Sequence, residues 1–199
     1  MLTKPNILRL VFFIATFAGA LYIPLREVLA FERPKTPPTG MRFGISGCDP
    51  YDPVRGHYLD LNTGVLLKLS PDEYRKSENL FLARRKKAFA ILETGEDGIA
   101  KVTGLVPADR APAGKTFVTV RNFWLPKGKG DLEAVVYLPF DRYYIDEKLA
   151  KPAENLLQQA VARKSAVLVV DIYADGRYAV KDLLIDGRPL REHLVPKQK

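Results

Sequence analysis

The sequence predicts a mainly β protein with minor α content. An N-terminal transmembrane helix comes first, then a β-barrel or sandwich-like domain with one helix packed on it in its C-terminal half. Three observations carry this prediction. Residues 10–25 form an apolar run without a charge. Short apolar or alternating segments follow, with turn residues about every 8 to 12 positions. A helix's apolar stripe is clearest at residues 152–163.

The apolar run is short for a spanning helix, which needs about 20 residues at roughly 1.5 Å each. Ile7 and Leu8 extend it to spanning length if Arg9 snorkels to the headgroups. Pro24 falls near its far end, where a helix break costs little, and Tyr22 suits an interfacial aromatic belt. A cleaved signal peptide competes with the anchor, because Ala18-Gly19-Ala20 has the form of a cleavage site. Both readings send the remainder across a membrane. Pro34, Pro37 and Pro38 then make an extended spacer. The expected organisation is an anchor at 1–31, a spacer at 32–40, a β-rich domain at 41–190 and a basic tail at 191–199.

Within the domain, residues 41–46 read as a short strand. Residues 56–62 alternate, with His57, Leu59 and Leu61 on one face and Tyr58, Asp60 and Asn62 on the other. Ser70 and Pro71 start a short helix that ends near Asn79. Residues 88–92 and 99–106 flank a turn at 95–98 and form a hairpin. Residues 116–123 and 133–138 are further strands. In the helix at 152–163, Pro152 fits the first turn, and Leu156, Leu157, Ala160 and Val161 form the stripe. Residues 166–173 and 178–185 flank Asp175-Gly176, a strong hairpin signal, and Asp186-Gly187 gives one more turn.

Composition excludes disorder: 47% of the residues are hydrophobic and 27% charged, close to globular averages. The net charge of +8 raises nucleic acid or anionic lipid as partners. The positive charge is scattered, apart from Arg84 to Lys87 and the tail Lys197 and Lys199. That pattern argues against nucleic acid and leaves lipid headgroups as the secondary candidate. A single cysteine, Cys48, rules out an intramolecular disulfide, and its spacing from His57 and His193 suggests no metal site. Its preceding residues resemble a lipobox only faintly and stand far from the apolar run. No cofactor motif occurs: there is no phosphate loop and no dinucleotide fingerprint.

No constellation of catalytic residues stands out. The most specific alternative is a signal-peptidase-like Ser/Lys hydrolase, with Ser46 as nucleophile and Lys101 as base. A lysine serves as base only when desolvation lowers its pKa. The residues that normally surround such a serine are absent. A Ser-His-Asp triad lacks its elbow motif, and a Cys48–His57 pair is more simply a turn cysteine beside a strand. A third alternative, a periplasmic small-ligand binder, requires a deep apolar pocket with a few convergent polar groups.

Asp49-Pro50, Asp52, Arg55-Gly56, Tyr58 and Leu61 resemble the signature of the bacterial GDYXXLXY-domain family. Glu96-Asp97-Gly98, Arg142-Tyr143-Tyr144 and the stretch from Asp175-Gly176 to Asp186-Gly187 follow in that family's order. Two positions depart from it: His57 stands where the family has Asp, and Thr63 where it has its final Tyr. The resemblance implies an N-terminal membrane anchor, with the N-terminus inside and the domain on the periplasmic side of the inner membrane. It also implies an integral membrane protein as partner, and it carries over no catalytic residues. Arg142, Tyr143 and Tyr144 form the candidate contact surface, since Arg and Tyr are frequent interface anchors. Strand alternation requires one of the two tyrosines to face the core.

Overall fold

The computed structural model describes residues 4–32, 36–48, 58–75, 87–109, 111–125 and 133–194. The chain divides into two compact units, Met1–Pro37 and Pro38–Lys199. The first contains helix α1 (Lys4–Glu32). Its segment Arg9–Leu29 has a mean hydropathy of 1.5 and is 0% buried. Twenty-one residues reach about 31 Å, close to the hydrocarbon thickness of a bilayer. Pro24 lies inside this helix rather than closing it. The missing N–H costs one bond to the preceding turn, and the helix continues to Glu32.

The second unit is mostly β, as the patterning predicts. Its strands are β1 (Thr39–Gly44), β2 (Gly47–Cys48), β3 (Tyr58–Asn62), β4 (Gly64–Lys68), β5 (Ala88–Thr94), β6 (Ala100–Pro107), β7 (Thr116–Thr119), β8 (Asn122–Trp124), β9 (Glu133–Tyr137), β10 (Arg142–Tyr144), β11 (Ala166–Ile172), β12 (Tyr178–Ile185) and β13 (Arg188–Pro189). Among the described residues they form four antiparallel sheets, ordered β1-β11-β12-β13, β10-β3-β2, β4-β9-β8 and β6-β5-β7. Their inward faces share one core, with Phe43, Leu59, Leu92, Val118, Val136, Phe140, Leu168 and Leu183 among its members. Burial strictly alternates along β11, as a half-buried strand requires.

The hairpins close where the turn residues stand. At residues 95–98 the Gly98 N–H donates to Gly95 O at 2.9 Å, and Gly98 has φ 74°. Gly176 closes the β11–β12 hairpin with φ 81°, its N–H donating to Tyr173 O. Asp186 and Gly187 both have positive φ and join Ile185 directly to Arg188, the geometry of a two-residue primed turn.

Two expectations need correction, and two short elements were not foreseen. Residues 116–123 do not form one strand. β7 pairs with β5 and β8 pairs with β9, so the chain changes sheets between Val120 and Arg121. The backbone N–H of Val120 donates to Ala88 O and that of Arg121 to Tyr137 O, which satisfies the corner. β4 was not anticipated, because Gly64–Lys68 does not alternate cleanly.

The long helix, α2 (Glu147–Ala162), begins five residues before Pro152, so that proline lies in the second turn. The reason is Asp146, whose carboxylate accepts from the Lys148 N–H at 2.9 Å and caps the helix there. The face buried against β2, β3 and β11 is Ala150, Ala153, Leu157 and Ala160. Glu154 is also buried, bonded to Lys151 and Gln158 at 3.2 Å each. Leu156 and Val161 pack at the margin. Leu190–Leu194 is a short helix, α3, with Leu190 fully buried. The turn at Ser70 is a capping box: Glu73 accepts from the Ser70 N–H and hydroxyl, and the Glu73 N–H returns to Ser70 Oγ. Residues 71–75 are helical, and the expected end near Asn79 lies outside the described residues.

Candidate functional site

The sequence-predicted residues separate into three groups. Asp49, Pro50, Asp52, Arg55, Gly56 and His57 lie outside the described residues, as do Arg84 to Lys86 and the tail lysines. Of the motif, Tyr58 and Leu61 are described. Leu61 is buried in the core and Tyr58 is half-buried on the opposite face of β3. Thr63, where the family has Tyr, is buried and its hydroxyl donates to Leu138 O at 3.0 Å.

Ser46 and Lys101 are engaged separately. The Ser46 hydroxyl donates to Asn62 O at 3.2 Å. Lys101 Nζ lies 3.4 Å from Asp97 Oδ2, and its side chain is 59% exposed. The Asp97 carboxyl is held below its ordinary range, first by the Ile99 N–H and then by Lys101. An exposed, ion-paired amine lacks the desolvation that a lysine base requires.

Arg142, Tyr143 and Tyr144 are brought to one place by β10, which pairs with β3 so that Arg142 faces Asp60, Tyr143 faces Leu59 and Tyr144 faces Tyr58. Strand alternation divides them. Tyr143 turns into the core; Arg142 and Tyr144 remain outside, Tyr144 at 66% exposure. The Arg142 guanidinium stacks 4.8 Å from the centre of the Tyr58 ring. Tyr144 meets the same ring edge-on at 5.9 Å.

Beneath this cluster, the Tyr143 hydroxyl donates to Asp182 Oδ1 at 3.1 Å. Burial, and then the Asp182 charge, push the Tyr143 phenol above its ordinary pKa, while Arg191 opposes them. Tyr178 donates to Pro139 O at 2.9 Å, and burial likewise raises its pKa. A depression of about 300 Å³ opens here, between β10, β12 and α3. A second, of about 230 Å³, lies by β3 and β9, where Arg121 pairs with Asp141. Both are lined largely by polar groups, unlike the apolar pocket a small-ligand binder requires. Among the described residues, no three His, Cys, Asp or Glu side chains gather as metal ligands.

Sequence reasoning missed Asp182 and Arg191. They are far from Arg142 in the chain, and a regular reading of 178–185 gives no hint of the irregularity that positions Asp182. It also missed an apolar outer face on the β4-β9-β8 sheet. Leu66 and Trp124 both stand opposite Val135, at 64% and 53% exposure, and Tyr137 lies on the same face. Exposed Leu and Trp at neighbouring strand positions could have signalled it had β4 been recognised.

No curated protein and no solved structure matches this chain. A family model described as GDYXXLXY protein matches residues 28–183, from the last turns of α1 to Leu183 within β12. The chain belongs to the GDYXXLXY family.

Proposed function

We propose that this protein is a single-pass component of the cytoplasmic membrane, N-terminus inside, whose β domain works on the periplasmic side by assembling with an integral membrane partner. The observation that carries this reading is Arg9–Leu29, an apolar helix of spanning length with none of its residues buried. So large an apolar surface needs a cover of lipid or protein. The charge bias is nearly neutral, with Lys4 and Arg9 at one end and Arg26, Arg33 and Lys35 at the other, so the N-in orientation rests on the family resemblance. The outer face with Leu66, Trp124 and Tyr137 supports the partner, as do the exposed Arg142 and Tyr144. Leu66, Trp124, Tyr137 and Tyr144 are the large exposed apolar side chains outside α1 among the described residues, and the first three share one sheet face. Scattered exposed apolar residues are ordinary, whereas a contiguous set marks a contact site.

Purification of the full chain in mild detergent is expected to recover an integral membrane protein with it. The double substitution Leu66→Glu and Trp124→Ala should reduce that recovery while changing stability by only about 0.5 kcal/mol. Recovery of this chain alone would defeat the partner reading. An intact mass showing loss of the first twenty residues would replace the anchor by a signal sequence cleaved after Ala20.

A further inference from the structure

The depression between β10, β12 and α3 is built by an irregularity. β11 and β12 pair regularly from Ala166↔Ile185 to Val169↔Asp182, and then Val170 pairs with Val180. Lys181 is the extra residue of a β-bulge. Bulges re-aim side chains and are common beside functional sites. Here Val180, Lys181 and Asp182 all line the depression, together with Arg142, Tyr144 and Arg191.

The charges of that lining are not equivalent. Lys181 Nζ is turned to Asp171, 3.3 Å away. Asp182 Oδ1 accepts from the Tyr143 hydroxyl and from the Leu183 N–H at 2.8 Å. The two guanidiniums are held differently. Arg142 rests on the face of Tyr58, and Arg191 lies beside the Tyr143 phenol, whose pKa it acts to lower. Aromatic faces and phenols orient a guanidinium without neutralising it. Among the described residues no carboxylate forms an ion pair with Arg142 or Arg191. Even with Lys181 cancelled by Asp171, two cations face one anion in the lining.

We propose that this depression is a seat for a phosphoryl oxyanion, with Arg142 and Arg191 as its two forks and the Tyr144 hydroxyl as a further donor. One guanidinium can engage both oxygens of a carboxylate side-on, whereas the three or four oxygens of a phosphoryl group accept from two forks and a hydroxyl along separate directions. Tyr143 is a positioning residue: it links Arg191 to Asp182 and does not reach the anion. The same chemistry serves a free phosphate or phosphomonoester and the headgroup of an anionic phospholipid. The lining lies within residues 142–191 and shares Arg142 and Tyr144 with the proposed contact surface, but the seat needs no membrane partner to bind an anion.

The test is calorimetric titration of the full chain in a neutral, phosphate-free detergent. Inorganic phosphate is the first probe, and dihexanoyl phosphatidylglycerol below its micellar concentration is the second. Saturable binding of at least one is expected, weakened about tenfold or more by Arg142→Gln or Arg191→Gln. Lys148→Gln makes the same charge change on an exposed helix position and should leave affinity unchanged. Binding of phosphate at least as tight as the lipid assigns the seat to free phosphoryl ligands; tighter binding of the lipid assigns it to a headgroup. Absence of saturation with both probes up to about 10 mM overturns the proposal. So does equal weakening by Lys148→Gln and the two arginine variants, because the attraction would then be diffuse charge.

Discussion

Gly176 shows how one residue can be required twice. Its φ of 81° places it in the left-handed region, where an L side chain costs roughly 1–2 kcal/mol. An added Cβ would also stand 2.6 Å from the Phe117 ring. Gly98 shares the backbone conformation, with φ 74°, but open space surrounds its Cβ direction. Gly176→Ala is therefore expected to lose roughly 2 kcal/mol or more, and Gly98→Ala about 1 kcal/mol. Urea unfolding of both variants measures the difference, and equal losses would remove the role given to Phe117. Sequence made both glycines legible as turn residues. The Phe117 contact was not, because it joins β7 to a hairpin tip remote in the chain.

At the scale of elements, caps outrank propensity in setting boundaries. Pro152 reads as a first-turn residue, yet Asp146 caps the helix earlier and the proline is carried into the second turn. Asp146→Ala should cost about 1 kcal/mol of stability through the lost cap. Chemical denaturation checks this, and a loss below about 0.3 kcal/mol would mean that packing of the alanine face alone defines the helix start. Strands show the same limit. β11 reads correctly because its alternation is undisturbed, whereas residues 116–123 alternate in sequence and still split between two sheets. A corner satisfied by Ala88 and Tyr137 carbonyls leaves no trace in local pattern.

For the whole β domain, two phenols couple stability to alkaline pH. Tyr143 ties β10 to β12, and Tyr178 ties β12 to the segment after β9. Burial raises both above the ordinary value of 10.0. The folded state then holds these protons to higher pH than the unfolded chain. Their contribution is complete below about pH 10 and is lost as pH rises through the folded values. The urea midpoint of the domain should therefore fall above about pH 10, and Tyr143→Phe should flatten that fall. An unchanged alkaline slope in that variant would show that other groups govern it.

The sequence by itself determined the apolar helix, the mainly β class, the hairpins at 95–98 and 175–176 and the family. Each of these is written in local periodicity, turn chemistry or motif order, all of which act over a few neighbouring residues. Tertiary structure alone decided which tyrosine of the Arg142-Tyr143-Tyr144 run faces out, where the chain changes sheets and how the Lys181 bulge shapes its depression. It also brought Arg142, Asp182 and Arg191 together. Those outcomes depend on strand register and on contacts between residues far apart in the chain, and no local pattern encodes a register.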